Sequence, residues 1–304
     1  MSELSVVTGA LGYTGRYIAR ALFERGGRVR TLTAHPARSN PFGDRLEIAP
    51  LDFAAPERLA RSLEGATTLF NTYWIRFPWR GATFDTAVAN SRALIEAACI
   101  AGVRRIVHIS ITGANPGSPL PYFRGKGMVE RAILDCGIPY LILRPTLIFG
   151  AEDILINNIA WMLRRFPVFA IPGRGDYRVQ PVFVGDLAAL AVGAQTAAPG
   201  RIMDAVGPET YTFSELVRAI ADAIGRRPRL VPVPPAVMLA LAGVFGRVLG
   251  DITLTRDEID GLMAGLLVSR DPPASATSLS AWLRSNSGQV GKSYRSELSA
   301  RSEG

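Results

Sequence analysis

Lysine is almost missing from this chain: of its 34 basic residues, only Lys126 and Lys292 are lysines. Histidine and cysteine are as scarce, at two each. Cys99 and Cys136 fall in helical-looking stretches with no ligand spacing, which argues against a disulfide framework or structural zinc and fits a reducing compartment. His35 falls in a loop and His108 inside an apolar strand, where packing is its ordinary role, so no metal site is expected. The first apolar residues follow no basic segment and read as a strand, so no signal peptide is expected and the placement is cytoplasmic. Long apolar runs are missing as well. A long uncharged run, Leu230 to Gly246, holds three prolines and is short for a bilayer span. Its helical part, Ala236 to Gly246, is read as core, with peripheral attachment to a membrane surface as the alternative. The formal charge of +8 is spread along the chain, not clustered with aromatic platforms, and nucleic acid is not an expected partner.

The rarity of lysine gives Lys126 its meaning. It follows Tyr122 by four residues, which places both on one helical face. A compact ammonium on a flexible stem lies easily beside a phenol, which the forked arginine side chain does not. A nearby cation favours the phenolate, so Tyr122 becomes a candidate acid/base group. Upstream, the run Arg105 to Ser110 reads as a strand ending in a serine, at the C-terminal end where open α/β sheets place ligands.

The N-terminal stretch Leu4 to Glu24 reads as strand, glycine-rich turn and helix. Gly9 permits the tight turn, Gly12 lets backbone approach a pyrophosphate, and Gly15 lets the helix pack against the strand. Tyr13 and Thr14 open the helix, whose free N–H groups face the anion. A second strand, Arg28 to Thr33, follows at βαβ distance. It ends without a carboxylate before Asp44, so nothing repels a 2′-phosphate, and Arg38, with Arg16 as a second contact, offers an attractive fork. The expected cofactor is therefore NADP in preference to NAD.

The remaining pattern alternates: a strand over Ala66 to Asn71, a helix over Phe84 to Ala101, the helix bearing Tyr122 and Lys126, and a buried strand over Pro139 to Leu143. Alternating βα units predict an α/β fold with a parallel, doubly wound Rossmann-type sheet. The dinucleotide domain is assigned to residues 1–150, with 181–206 returning to it. Residues 151–284 form a small C-terminal cap, and the Ser- and Gly-rich stretch 285–304 is expected to be disordered. Thr212 and Glu215 form a capping box that opens a helix closing at Gly225.

In combination, Thr8-Gly9-x-x-Gly12-x-x-Gly15, Ser110, Tyr122-x-x-x-Lys126 and Arg144-Pro145 resemble the short-chain dehydrogenase/reductase superfamily. Within it the chain is similar to extended and atypical members of the NAD(P)-dependent epimerase/dehydratase type. The stretch Ser110 to Lys126 also resembles the branch that includes the nucleotide-binding accessory subunit of respiratory complex I. The resemblance covers roughly residues 4–235.

By position, it implies Ser110, Tyr122 and Lys126 as the catalytic triad, with Lys126 also reaching the nicotinamide ribose. It assigns Asp52 and Phe53 to the adenine, Asn71 to the cofactor's side, and Pro145, Thr146 and Ile148 to the nicotinamide. Asp52 is equally readable as the start of a turn before Pro56, and Asn71 as a loop cap. The cluster Tyr73, Trp74 and Phe77 reads as a substrate-pocket wall, which favours an apolar small molecule over a sugar nucleotide. Gly125 and Gly127 depart from a good helix, and are read as leaving room for cofactor or a neighbouring helix. Two functions stay open: hydride transfer between nicotinamide and a carbonyl or carbinol, in reductase or epimerase/dehydratase chemistry, and a non-catalytic scaffold, assembly factor or redox sensor.

Overall fold

Strand β1 (Leu4–Thr8) is buried along its whole length, as a strand covered on both faces must be. It leads through the glycine turn into α1 (Tyr13–Glu24), then β2 (Arg28–Thr33), β3 (Leu46–Pro50), α2 (Pro56–Leu63) and β4 (Ala66–Asn71). Helix α3 (Phe84–Ile100) opens on a capping box in which Thr83 and Thr86 bond reciprocally. Next come β5 (Arg105–Ile109), α4 (Pro121–Asp135) and β6 (Tyr140–Pro145). This computed structural model describes residues 3–193, 200–296 and 298.

After an excursion through four short strands and one helix, the chain returns in α6 (Val184–Gly193) and β11 (Arg201–Ala205). Among the described residues, seven strands form one sheet in the order β11-β6-β5-β4-β1-β2-β3. The pairs from β3 through β6 are parallel. The order reverses between β1 and β4, so the crevice at their C-terminal ends is the topological switch point where such sheets take ligands. Leu59 and Leu63 of α2, Leu94 and Ala98 of α3, and Val129 and Ile133 of α4 close over Val6, Leu69 and Ile106 to form the core.

The chain divides into two units. The first runs to Pro145 and again from Leu187 to Asp204; the second covers Thr146 to Asp186 and the chain from Ala205 onward. The break falls at Pro145, not at residue 150, because the apolar residues Leu147 and Phe149 already belong to the second unit's core. Residues 194–199 of the expected return lie outside the described residues.

The second unit contains β7 (Ile148–Phe149) paired with β10 (Val182–Phe183), and β8 (Val168–Pro172), β9 (Arg178–Val179) and the helix α5 (Leu155–Arg165). Strand β12 (Tyr211–Thr212) pairs with β9, and β13 (Arg229–Val233) runs parallel to β8. Helix α7 (Phe213–Ala223) starts at the Thr212–Glu215 capping box that the sequence predicts. Three helices follow: α8 (Pro235–Leu249), α9 (Arg256–Met263) and α10 (Leu279–Asn286). Phe149, Ile159, Phe169, Leu216, Ile220 and Leu283 fill the core.

Two expectations are corrected here. The stretch from Ser285 is not disordered along its described part. Arg164 donates to the carbonyls of Val290 and Ser287, Val290 is buried, and Asn158 exchanges hydrogen bonds with the Arg295 backbone. Its composition suggested disorder, but α5 supplies the partners. Residues 297 and 299–304 lie outside the described residues. The helix over 236–246 is not core: α8 is longer, and Gly246 is its one buried residue. An all-apolar helix has no polar face to reveal its orientation, and the sequence pattern was silent on it.

Candidate active site and cofactor-binding loop

The glycine turn closes on a left-handed residue and a close backbone approach. Gly9 lies at φ +70°, a left-handed conformation that suits glycine, and its N–H donates to the Leu32 carbonyl at 3.0 Å. A Cβ on Gly15 would overlap the Gly9 carbonyl, and one on Gly12 would approach that oxygen to 3.2 Å. Gly12 is the N-cap of α1 and carries no side chain to close the helix end, and Tyr13 and Thr14 fill the first turn. Helix N–H groups at such an end favour an anion. Arg16 reaches back to the loop, where Nη2 donates to the Leu11 carbonyl at 3.0 Å. Its guanidinium therefore braces the turn.

At the end of β4 the side chains knit β1 to the next loop. Thr8 Oγ1 accepts from the N–H groups of Thr72 and Tyr73, at 2.8 and 3.1 Å, and Asn71 Oδ1 accepts a second bond from Tyr73 N–H. Asn71 thus caps its loop. Its Nδ2 is buried without a partner among the described residues, an orphaned donor at the switch point. A left-handed turn at Gly9, a Gly15 that admits no Cβ, an open helix end and an orphaned amide donor fit a dinucleotide.

The Asp52 carboxylate accepts from Ala54 N–H at 3.1 Å and pairs with Arg58 at 3.5 Å, the turn arrangement before α2. Phe53 packs on Tyr73 with ring centroids 4.8 Å apart. The Tyr73 hydroxyl accepts from Asn90 Nδ2 at 2.9 Å, and burial raises its pKa. Phe77 is buried in the protein and so is packing, not an open wall. Arg38 is half-buried in the turn that follows β2, its N–H bonded to the His35 carbonyl.

Helix α4 presents Tyr122, Lys126 and Glu130 at four-residue steps along one face. Lys126 is 3% exposed; its Nζ donates to the Ile109 carbonyl at 2.9 Å and lies 4.9 Å from the centre of the Trp74 ring. Burial pushes the ammonium down to about 7, with the Glu130 charge opposing the shift. Burial first, and then the Lys126 charge, hold His108 well below its usual range, so this imidazole is a neutral core group.

Trp74 packs edge-on against Tyr122 at 6.0 Å and stacks on Phe84 at 6.2 Å. It fits because residue 125 is glycine: a Cβ there would come within 2.8 Å of the indole Cη2. Gly127 makes the corresponding room for the Asn115–Pro116 backbone. The two glycines that weaken the helix thus admit an aromatic side chain and a loop.

Ser110 is buried and bonded to a carboxylate. Its hydroxyl donates to Glu130 Oε1 at 2.5 Å, and Arg144 clasps the same carboxylate through Nε at 2.9 Å and Nη2 at 2.5 Å. Glu130 lies eight residues beyond Tyr122, about 12 Å along the helix axis. Tyr122 and Lys126 thus share one face of α4, while Ser110 joins a part-buried Ser110–Glu130–Arg144 cluster further along the helix. The sequence reading missed Glu130 and Arg144. The i+4 step from Lys126 to Glu130 was the available signal. Pro145 ends β6, where its carbonyl accepts from Thr112 N–H at 3.0 Å. Thr146 and Ile148 belong to the second unit, where the Thr146 hydroxyl donates to the Gln180 carbonyl. No group of three His, Cys, Asp or Glu placed to hold a metal ion occurs among the described residues.

A family model described as NAD(P)H-binding matches residues 9–153, the span that holds the glycine turn and α4. The chain is 30% identical over 240 residues to a ceramide reductase from Caulobacter vibrioides, covering 77% of this chain and 75% of that one. The chain belongs to the NAD(P)H-binding family that includes this reductase. This family member is also 28% identical over 251 residues to subunit 9 of the NADH dehydrogenase 1 alpha subcomplex from Arabidopsis thaliana. That match covers 79% of this chain and 62% of the plant protein, less than two thirds of its length. The fold is shared with a triphenylmethane reductase from Citrobacter solved with NADP(H): TM-score 0.75, 21% identity, 94% of this chain and 100% of that one. An NADPH-dependent quinone oxidoreductase from Escherichia coli has the same fold, with TM-score 0.74, 21% identity, and 92% and 98% covered.

Proposed function

We propose that the chain is an NAD(P)H-dependent oxidoreductase that acts on a carbonyl or carbinol of a small, predominantly apolar substrate, with Tyr122 as the proton carrier. The observation that carries this reading is the Tyr122–Lys126 pair, a phenol one helical turn from a buried lysine. When bound, the cofactor's nicotinamide supplies or accepts the hydride. Gly9, Gly12, Gly15 and the N-terminus of α1 hold its pyrophosphate, and Asn71 Nδ2 meets it from β4. Tyr122 gives its proton to the carbonyl oxygen, and the nearby Lys126 charge favours the phenolate left behind. Trp74 and Phe84 wall this face of α4 and exclude water from it. Ser110 stabilises α4 through Glu130 and does not hold the substrate oxygen. Arg38, beside a strand end that lacks a carboxylate, gives NADP its preference over NAD.

Tyr122→Phe tests the reading. It removes the proton carrier alone, so NADPH affinity should stay at the wild-type level while turnover falls by about 10²–10⁴. Near-full activity in the variant would overturn the assignment.

A second reading is supported by the likeness to a respiratory complex I subunit and by the engagement of Ser110 with Glu130. In it the chain binds the dinucleotide without turnover and serves as a scaffold or redox sensor. Following nicotinamide absorbance with a panel of carbonyls, quinones and nucleotide sugars separates the two. Oxidation of NADPH by any of them supports the enzyme, and tight NADPH binding with no oxidation across the panel supports the scaffold.

A further inference from the structure

Helix α8 is built almost wholly from apolar residues yet is largely exposed. Val237, Leu241, Val244 and Val248 follow a 4-3-4 spacing and are 45, 43, 57 and 80% exposed. The stripe covers 12 residues, about 16 Å along the axis. Water-soluble helices normally turn such a stripe inward, so this one marks a contact surface.

Charge identifies what fits it. No carboxylate lies on α8, and its last turn carries Arg247. The helix runs back along the parallel β8–β13 pair: Phe245 meets Phe166, just before β8, with ring centroids 5.7 Å apart. The C-terminal end of the stripe therefore reaches the start of the strand pair, where Arg165 ends α5 and Arg229 opens β13, both exposed. Arg226 and Arg227, in the approach to β13, are exposed too. The acid bordering them is Asp222, which shares a surface hollow with Arg226 and Arg227. Asp251, just past the helix, is buried and accepts from the Tyr294 hydroxyl at 2.7 Å, so it presents no charge to the surface.

We propose that α8 docks this chain on an anionic lipid surface, with the aliphatic stripe in the acyl boundary and the arginines among the headgroups. The stripe is aliphatic and offers no side-chain hydrogen bonds, which suits a fluid apolar phase better than a partner protein that must be told apart from others. Long arginine side chains extend their charge to headgroup level while their stems cover apolar surface. Fifteen residues do not span a bilayer, and no described helix is long and apolar enough to cross one, so the attachment is peripheral. The proposal is independent of catalysis, and its test reads binding alone.

The test is flotation of the full chain with unilamellar vesicles of phosphatidylcholine and phosphatidylglycerol at 3:1, against vesicles of phosphatidylcholine alone. The wild type should float with the anionic vesicles, more weakly in 0.5 M salt, and stay down with the neutral ones. The double variant Val244→Asp/Val248→Asp should weaken partitioning at least tenfold. Both positions are exposed, and an unchanged thermal melt confirms the fold. Arg229→Gln/Arg247→Gln should weaken it by about fivefold per arginine. Absence of flotation with anionic vesicles at low salt would overturn the proposal, as would flotation unaffected by the valine changes. A wild-type dimer in light scattering that the valine changes dissolve, without vesicle binding, would assign α8 to self-association instead.

Discussion

Ser110 donates its hydroxyl to Glu130 Oε1 at 2.5 Å, and Arg144 clasps both oxygens of the same carboxylate. The cluster ties the end of β5, the middle of α4 and the end of β6 together at one point. It fixes the helix that carries Tyr122 and Lys126, and its burial makes it sensitive to the loss of any member.

Glu130→Ala should be severe, because it leaves Arg144 and Ser110 without their acceptor in a largely buried place. A loss of about 3–5 kcal/mol of folding stability is expected in urea denaturation. Ser110→Ala removes one charge-assisted bond and should cost about 1.5–3 kcal/mol. The same variant should leave kcat/KM near the wild-type value under conditions where it is folded. A fall of order 10²–10⁴ there would return Ser110 to the reacting atoms.

Lys126 predicts how stability follows pH. Its folded-state pKa, about 7, lies below that of the unfolded chain. Between the two values the unfolded chain binds the proton that the native state has released, so stability rises with pH from about 7 toward 10. The rise is at most about 1.4 kcal/mol per pH unit. Lys126→Met has no group to titrate, so its stability curve should lack this component. Denaturant unfolding at pH values from 6.5 to about 9.5, on wild type and variant, checks it; parallel curves would refute the assignment.

Arg38 predicts cofactor choice. A charge-assisted bond contributes about 1.5–3 kcal/mol, so Arg38→Ala should weaken NADPH by roughly ten- to a hundredfold and leave NADH almost unchanged. Calorimetry with both cofactors decides it. Equal wild-type affinities, or equal losses in the variant, would remove Arg38 from the 2′-phosphate.

The parts of the fold legible in the sequence were those set by local rules. The turn at Gly9 needs a left-handed backbone and a close approach at Gly15, which only glycine tolerates, so it shows in the residues themselves. The pairing of Tyr122 with Lys126 is helical spacing and nothing more. Ser110 was harder to read, because which side of the sheet a strand's last residue faces, and which helical face lies there, depend on how α4 crosses β5 and β6. Arg144 meets Glu130 across that same crossing. Composition misled twice: α8 has too few polar residues to betray its exposed face, and the polar stretch after Ser285 finds its partners on α5.

Tyr122, Lys126 and Glu130 share one helical face, and this constrains length more strictly than identity. Inserting or deleting one residue between Tyr122 and Glu130 turns one part of α4 by about 100° against the other. Either Tyr122 leaves the side of Lys126, or Glu130 swings away from Ser110 and Arg144. Point substitutions along this stretch change the protein by degrees, but a frame of two helical turns admits no insertion, and any homologue that keeps both the tyrosine and the glutamate must keep seven residues between them.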